Sequence, residues 1–81
     1  MSKETRMRWN KIAHDKLVGR KIVKVHYMGD EDMKEMDWFS RPLLIHLDDG
    51  NIIFPSMDDE GNDGGALFCN DEDTPILPTL G

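Results

Sequence analysis

The stretch "RPLLIHLDDGNIIFPS", residues 41–56, holds the clearest fold signal in the chain. Leu43, Ile45 and Leu47 alternate with other residues, which is the period of a strand with one buried face. The Asp-Gly pair at 49–50 is typical of a tight hairpin turn, because glycine adopts the positive φ that such a turn needs. "NIIF", residues 51–54, returns as the partner strand, and Pro55 ends its ladder or marks a sheet edge. The stretch therefore predicts a β-hairpin.

Toward the N-terminus, "KIVKVHYM", residues 21–28, predicts another strand. Val23, Val25 and Tyr27 share one side of it, and Lys24 and His26 share the other. Between this strand and the hairpin, residues 29–38 open with acids, which favour the first turn of a helix. We expect one or two helical turns there, or a structured loop.

The first segment predicts a basic amphipathic helix over residues 3–18, capped by Ser2 and stopped near Gly19. The apolar side chains that follow the helical period form one stripe, and lysines and arginines fill the opposite face. The members of the stripe are Trp9, Ile12, Ala13 and Leu17.

At the C-terminal end, "ALFC", residues 66–69, predicts a short strand, and "NDEDTPILPTLG", residues 70–81 with Pro75 and Pro78, predicts an extended tail. One helix and four to five short strands indicate an α+β fold in a single domain, 1–81. It divides into the basic helix, 1–19, and a mainly β core, 20–81, with an acidic insertion at 29–38 and a loop at 58–65. We expect the helix to pack on a small, strongly bent antiparallel sheet or SH3-like half-barrel.

Composition limits the class of protein. The 81 residues carry a net charge of -6 and one cysteine, so an internal disulfide is excluded and a reducing compartment is favoured. The N-terminus lacks an apolar run of secretory length, and no stretch approaches the roughly 20 apolar residues of a membrane span. We expect a cytoplasmic protein that does not enter a membrane.

The charge is unevenly distributed. Residues 1–24 hold eight basic and two acidic side chains, a net +6, whereas residues 25–81 hold two basic and fourteen acidic ones, a net -12. One interpretation is that the basic segment lies across its own acidic surface. The other is that one of the two surfaces faces a charged partner. Because acidic net charge repels phosphate, nucleic acid is the less favoured partner.

Three segments together resemble a known family: "LVGRKIVKVHYM" at 17–28, "WFSRPLLIHLDDGNIIFPSMDDEGNDGGALF" at 38–68, and "PILP" at 75–78. They are similar to a family of small uncharacterised bacterial and phage-type proteins. The resemblance implies a compact, mostly β domain. It implies no activity, cofactor or catalytic residue.

The acidic, glycine-rich loop after the hairpin has two interpretations. Its oxygen-bearing side chains form a candidate calcium site, although neither possible start fits the EF-hand spacing. Alternatively, its glycines adopt special backbone angles and its acids cap turns, without a cation. The candidate ligands are Asp58, Asp59, Glu60, Asn62 and Asp63.

His26 and His46 are predicted to point to the same face if their two strands pair, and Cys69 on a further strand is a possible third zinc ligand. The chain lacks the closely spaced ligand pair of a zinc motif. It also lacks a recognisable catalytic constellation, and we expect no enzymatic activity and no cofactor.

The sequence thus predicts a non-catalytic protein-interaction module or small accessory protein, which contacts another protein or itself. The expected contact residues are Trp38, Phe39 and Arg41, taken as exposed aromatics with a flanking charge. The alternative interpretation of Trp38 and Phe39 is that they close one end of the core. The alternative function is a divalent-cation-binding domain that uses loop 58–65 for Ca²⁺.

Overall fold

The computed structural model describes residues 2–81, which form two helices and five strands. The helices are α1, Lys3–Leu17, and α2, Asp30–Met36. The strands are β1, Ile22–Tyr27, β2, Leu43–Leu47, β3, Ile52–Ile53, β4, Leu67–Phe68, and β5, Ile76–Leu77.

The strands form two antiparallel sheets. Strands β1, β2 and β3 lie side by side in that order, and β4 pairs with β5. The predicted α+β class with small antiparallel sheets is confirmed. Within residues 2–81 neither sheet closes into a barrel, so the SH3-like version of the prediction has no support in the strand order.

The hairpin between β2 and β3 forms where the sequence predicts it. Gly50 adopts a φ of 89°, which is the positive value that the turn requires. The Asp49 carboxylate accepts a hydrogen bond from the Asn51 amide at 3.0 Å, and this bond lowers the pKa of Asp49. On its other side β2 pairs with β1 in a register that sets Val25 opposite Ile45, with a shift between Ile22 and Lys24.

The core lies between α2 and one face of the three-stranded sheet. Met28, Met33, Trp38 and Leu44 form one buried cluster. On the opposite face of β2, Leu43 and Leu47 are also buried, and Pro42 before the strand is fully enclosed. Counting Pro42, only seven apolar side chains are buried among the described residues, so the core is small even for a domain of this size.

Helix α1 begins and ends close to the predicted positions. The Ser2 side chain accepts a hydrogen bond from the Thr5 amide at 3.1 Å, and the backbone becomes extended at Val18. However, none of the residues from Lys3 to Leu17 is buried. The expectation that α1 packs on the sheet is therefore wrong, and its apolar stripe remains in solvent. No helix within residues 2–81 is long and apolar enough to cross a membrane.

Loop 58–65 returns to the segment that precedes β2. Gly64 is buried there, and a Cβ atom at this position would overlap the carbonyl oxygen of Ser40 and approach Pro42 Cδ to 2.7 Å. The C-terminal tail closes the same region, because Arg41 and Leu80 exchange backbone hydrogen bonds of 2.7 and 3.0 Å. Residues near Ser40 thus connect the sheet, the loop and the tail.

Replacing Gly64 by alanine should destabilise the protein by about 3 kcal/mol or more, because the obstructing oxygen belongs to the backbone and cannot rotate away. Urea unfolding measures the change. Gly29→Ala is the matched control, since its Cβ meets nothing within 4 Å, and we expect a loss below about 1 kcal/mol. Equal losses for the two variants would contradict the close approach at Gly64.

Candidate functional site

The first half of the acidic loop is folded around the Asp58 carboxylate. Its Oδ1 accepts hydrogen bonds from the amides of Glu60 and Asn62 at 3.0 and 3.2 Å, and its Oδ2 accepts one from the Asn62 side chain at 2.8 Å. The side-chain bond from Asn62, followed by the backbone bonds, lowers the pKa of Asp58. This is the geometry of an acid that caps a turn.

The second half of the loop is attached to the rest of the domain by Asp63. One carboxylate oxygen, Oδ1, accepts hydrogen bonds from three backbone amides: Ser40 at 2.8 Å, Phe39 at 3.0 Å and Gly64 at 2.8 Å. The bond from Ser40 contributes most to lowering the pKa of Asp63. Asp63 therefore connects the loop to the segment between α2 and β2.

The predicted cation ligands lie together in sequence, but two of them already have partners. A cation bound by Asp58 and Asp63 would compete with the N–H groups that these carboxylates accept. Asn62 donates its side-chain amide to Asp58 and to Glu60, the latter at 3.2 Å. Within residues 2–81, no three His, Cys, Asp or Glu side chains are placed together as a metal site. The calcium interpretation, which also uses Asp59, stays a prediction.

The three predicted contact residues differ in accessibility. Trp38 is only 5% exposed, and its indole nitrogen donates to the Gly61 carbonyl at 2.8 Å. The expectation that Trp38 lies at the surface is wrong, because it belongs to the core. Arg41 is half-buried, and its guanidinium donates hydrogen bonds to the Met28 carbonyl at 2.5 Å and to the Asp30 carboxylate at 2.7 Å. Phe39, in contrast, is 80% exposed and available to a partner.

A larger apolar surface lies on α1. Trp9 is 54% exposed, Ile12 and Leu17 are exposed on the same stripe, and the Arg8 guanidinium lies 5.7 Å from the centre of the Trp9 ring. The amphipathic pattern identifies these side chains from sequence, but as core residues. Their exposure is the feature that sequence reasoning missed.

A groove lies beside α2 on the three-stranded sheet of β1, β2 and β3. It encloses about 200 Å³, and its floor is apolar. Asp32 and Glu35 line it from α2, and none of its lining residues comes from α1. Its apolar lining is Met28, Met36, Leu44, Ile52 and Phe54.

The two helices have opposite charge. Helix α1 has five basic and two acidic side chains, whereas α2 has four acidic and one basic. Helix α1 therefore carries a net +3 and α2 a net -3 with histidine neutral. An exposed basic helix with an apolar stripe and an apolar groove beside an acidic helix are chemically complementary.

Comparisons of the chain with protein-family models, with curated proteins and with solved structures found no match. The likeness to the small bacterial and phage-type family therefore stays a prediction.

Asp63→Asn should lower the thermal midpoint at neutral pH, because it removes the charge that three amides stabilise. The lowered pKa of Asp63 means that the charge contributes stability above about pH 4 and that this contribution is lost as the pH falls through the lowered value. The difference in thermal midpoint between wild type and variant should therefore shrink on acidification. Thermal unfolding followed by circular dichroism at several pH values measures it.

The control is Asp59→Asn, which removes the same charge from a neighbouring position, while the loop amides donate to Asp58 and Asp63 instead. It should leave the midpoint nearly unchanged. If the two variants behave alike, loss of net negative charge explains the effect and Asp63 has no special role.

Proposed function

We propose that the protein is a non-catalytic protein-interaction module whose main contact surface is the apolar stripe of α1. The observation that carries the proposal is the exposure of Trp9 and Ile12 on a helix without any buried residue. Large aromatic side chains flanked by arginine are the residues that most often dominate binding energy at interfaces. The exposed Phe39 and the reducing, cytoplasmic setting expected from the single cysteine are consistent with this role.

The low stability expected of an unpacked α1 supports a binding role. An isolated helix of this length is only marginally stable in water, since most helical stability in proteins comes from packing an apolar face. Covering the exposed half of Trp9 would remove roughly 100 Å² from water and contribute about 2.5 kcal/mol. A partner surface would therefore stabilise the helix and gain affinity from the same contact.

The partner surface must offer an apolar groove with acidic neighbours. The groove beside α2 has these properties, with Asp32 and Glu35 next to an apolar floor. Self-association, with α1 of one copy in the groove of another, is the form of the interaction that the charges favour. A different protein with a similar acidic groove is the other form.

Trp9→Ala should weaken the association by roughly 30-fold, because an interface tryptophan contributes about 2 kcal/mol and 1.4 kcal/mol corresponds to a factor of ten. The double variant with Ile12→Ala should weaken it further. Sedimentation equilibrium of the full chain over a wide concentration range measures self-association. Urea unfolding of the monomer should not change, since neither side chain is buried in it.

Met57→Ala is the matched control, because Met57 is a large exposed apolar residue outside α1. It should leave association intact. The proposal fails if Trp9→Ala associates like wild type, or if the wild type is monomeric and captures no protein whose binding depends on Trp9.

Variants of the groove separate the two kinds of partner. Asp32→Asn with Glu35→Gln should weaken self-association, and added salt should weaken it in wild type. If the partner is another protein, the chain sediments as a monomer. In that case a protein captured by the wild-type chain should no longer bind to the Trp9→Ala variant, but should still bind to the groove variants.

A further inference from the structure

His26 and His46 form a close pair across strands β1 and β2. Their Nε2 atoms are 2.8 Å apart, and the two ring centroids are 4.9 Å apart with planes inclined by 27°, so the rings face each other by their Nε2 edges. Both side chains are half-buried. Because neither side chain is fully enclosed, a small ion can approach the pair.

When both rings are neutral, a single proton lies between the two Nε2 atoms. His26 Nδ1 lies 2.9 Å from the Tyr27 carbonyl oxygen, which can only accept, so the ring proton of His26 lies on Nδ1. His26 Nε2 is then a lone pair, and His46 Nε2 must supply the hydrogen for the contact. Two nitrogens that are good metal ligands therefore point at one position.

We propose that His26 and His46 bind a divalent transition-metal ion of the zinc type, which replaces the shared proton. Zinc binds imidazole nitrogen at about 2.0–2.1 Å, so two nitrogens at a tetrahedral angle stand about 3.3 Å apart. The observed 2.8 Å needs to widen by only roughly half an ångström. When the metal binds, the His46 proton moves to Nδ1 and both Nε2 lone pairs point at the ion.

The surroundings of His26 support a metal ligand. A ligating histidine commonly donates its second ring N–H to a carbonyl or carboxylate, which fixes the ring orientation, and the Tyr27 carbonyl has this role for His26. Imidazole ligands select zinc, copper or nickel over calcium and magnesium. Lys24 pairs with His46 in the sheet register, but its side chain is exposed and its ammonium group can extend into water.

The metal would have only two protein ligands from this chain. Cys69, the third ligand that the sequence suggested, is exposed and its Sγ donates to the Thr74 carbonyl at 3.0 Å. Within the described residues no set of three potential ligands comes together. Water completes the coordination, which predicts an exchangeable site with modest affinity that ties β1 to β2.

Isothermal titration of the full chain with zinc chloride at neutral pH tests the site. We expect one ion per chain for wild type and for His14→Ala, which removes the histidine on α1. His26→Gln and His46→Gln should each weaken binding at least tenfold. Both substitutions keep a polar side chain of similar size, and circular dichroism verifies that the variants fold.

A second readout locates the ion. In nitrogen-15 spectra of the histidine rings, zinc should move the Nε2 resonances of His26 and His46 together and leave those of His14 unchanged. Calcium chloride under the same conditions should move neither. The proposal is overturned if zinc produces no heat and no shift, or if it binds equally well to the two glutamine variants. These outcomes do not depend on α1, so they are independent of the interaction function.

Discussion

Three backbone amides converge on one carboxylate oxygen of Asp63, and the position of the loop against the core depends on this contact. It attaches a glycine-rich loop to the short segment between α2 and β2. Gly64 can then approach Ser40 so closely that a side chain would not fit. The Gly61 carbonyl comes within 2.8 Å of the Trp38 indole nitrogen. The loop thereby satisfies the one polar group of the largest core side chain, as burial of tryptophan requires.

The small core and the exposed helix have a common origin. Met28, Met33, Trp38 and Leu44 are buried together without any side chain of α1, and the rest of that face stays open as the groove beside α2. A domain of this size buries a limited share of its surface. Here α1 does not pack on the sheet and has no buried residue. Its apolar stripe is therefore a surface feature, and large uncovered apolar patches are characteristic of binding surfaces.

The sequence predicted the features that depend on neighbouring residues. The helix bounds near Ser2 and Gly19, the hairpin at Gly50 and the helical turns after Gly29 all follow from local periodicity and turn chemistry. Contacts between distant segments were not predictable. An amphipathic stripe shows that Trp9 needs a cover but does not say which surface provides it, and the burial of Trp38 depends on a hydrogen bond to a residue 23 positions away.

The acidic loop shows the same limit in another form. Acids and glycines that cap turns are the same residue types that bind calcium, and only the direction of each carboxylate distinguishes the two roles. For the histidines, alternation correctly placed His26 and His46 on one face. Their 2.8 Å separation also depends on the register between β1 and β2, which the strand sequences alone do not fix.

The link between α1 and the sheet bears on whether the helix docks on its own groove or on that of another chain. The link is short and held at the hairpin end of β1, where the Lys21 carbonyl accepts a hydrogen bond from the Asp48 amide at 2.9 Å and Arg20 lies 3.6 Å from the Asp49 carboxylate. Helix α2 begins beyond the opposite end of β1, roughly 20 Å away for a six-residue strand. For α1 to dock on the groove of its own chain, the backbone between Leu17 and Ile22 would have to change, and this segment makes these contacts. Docking on a second molecule keeps them, so the fixed link favours an intermolecular contact over an internal one.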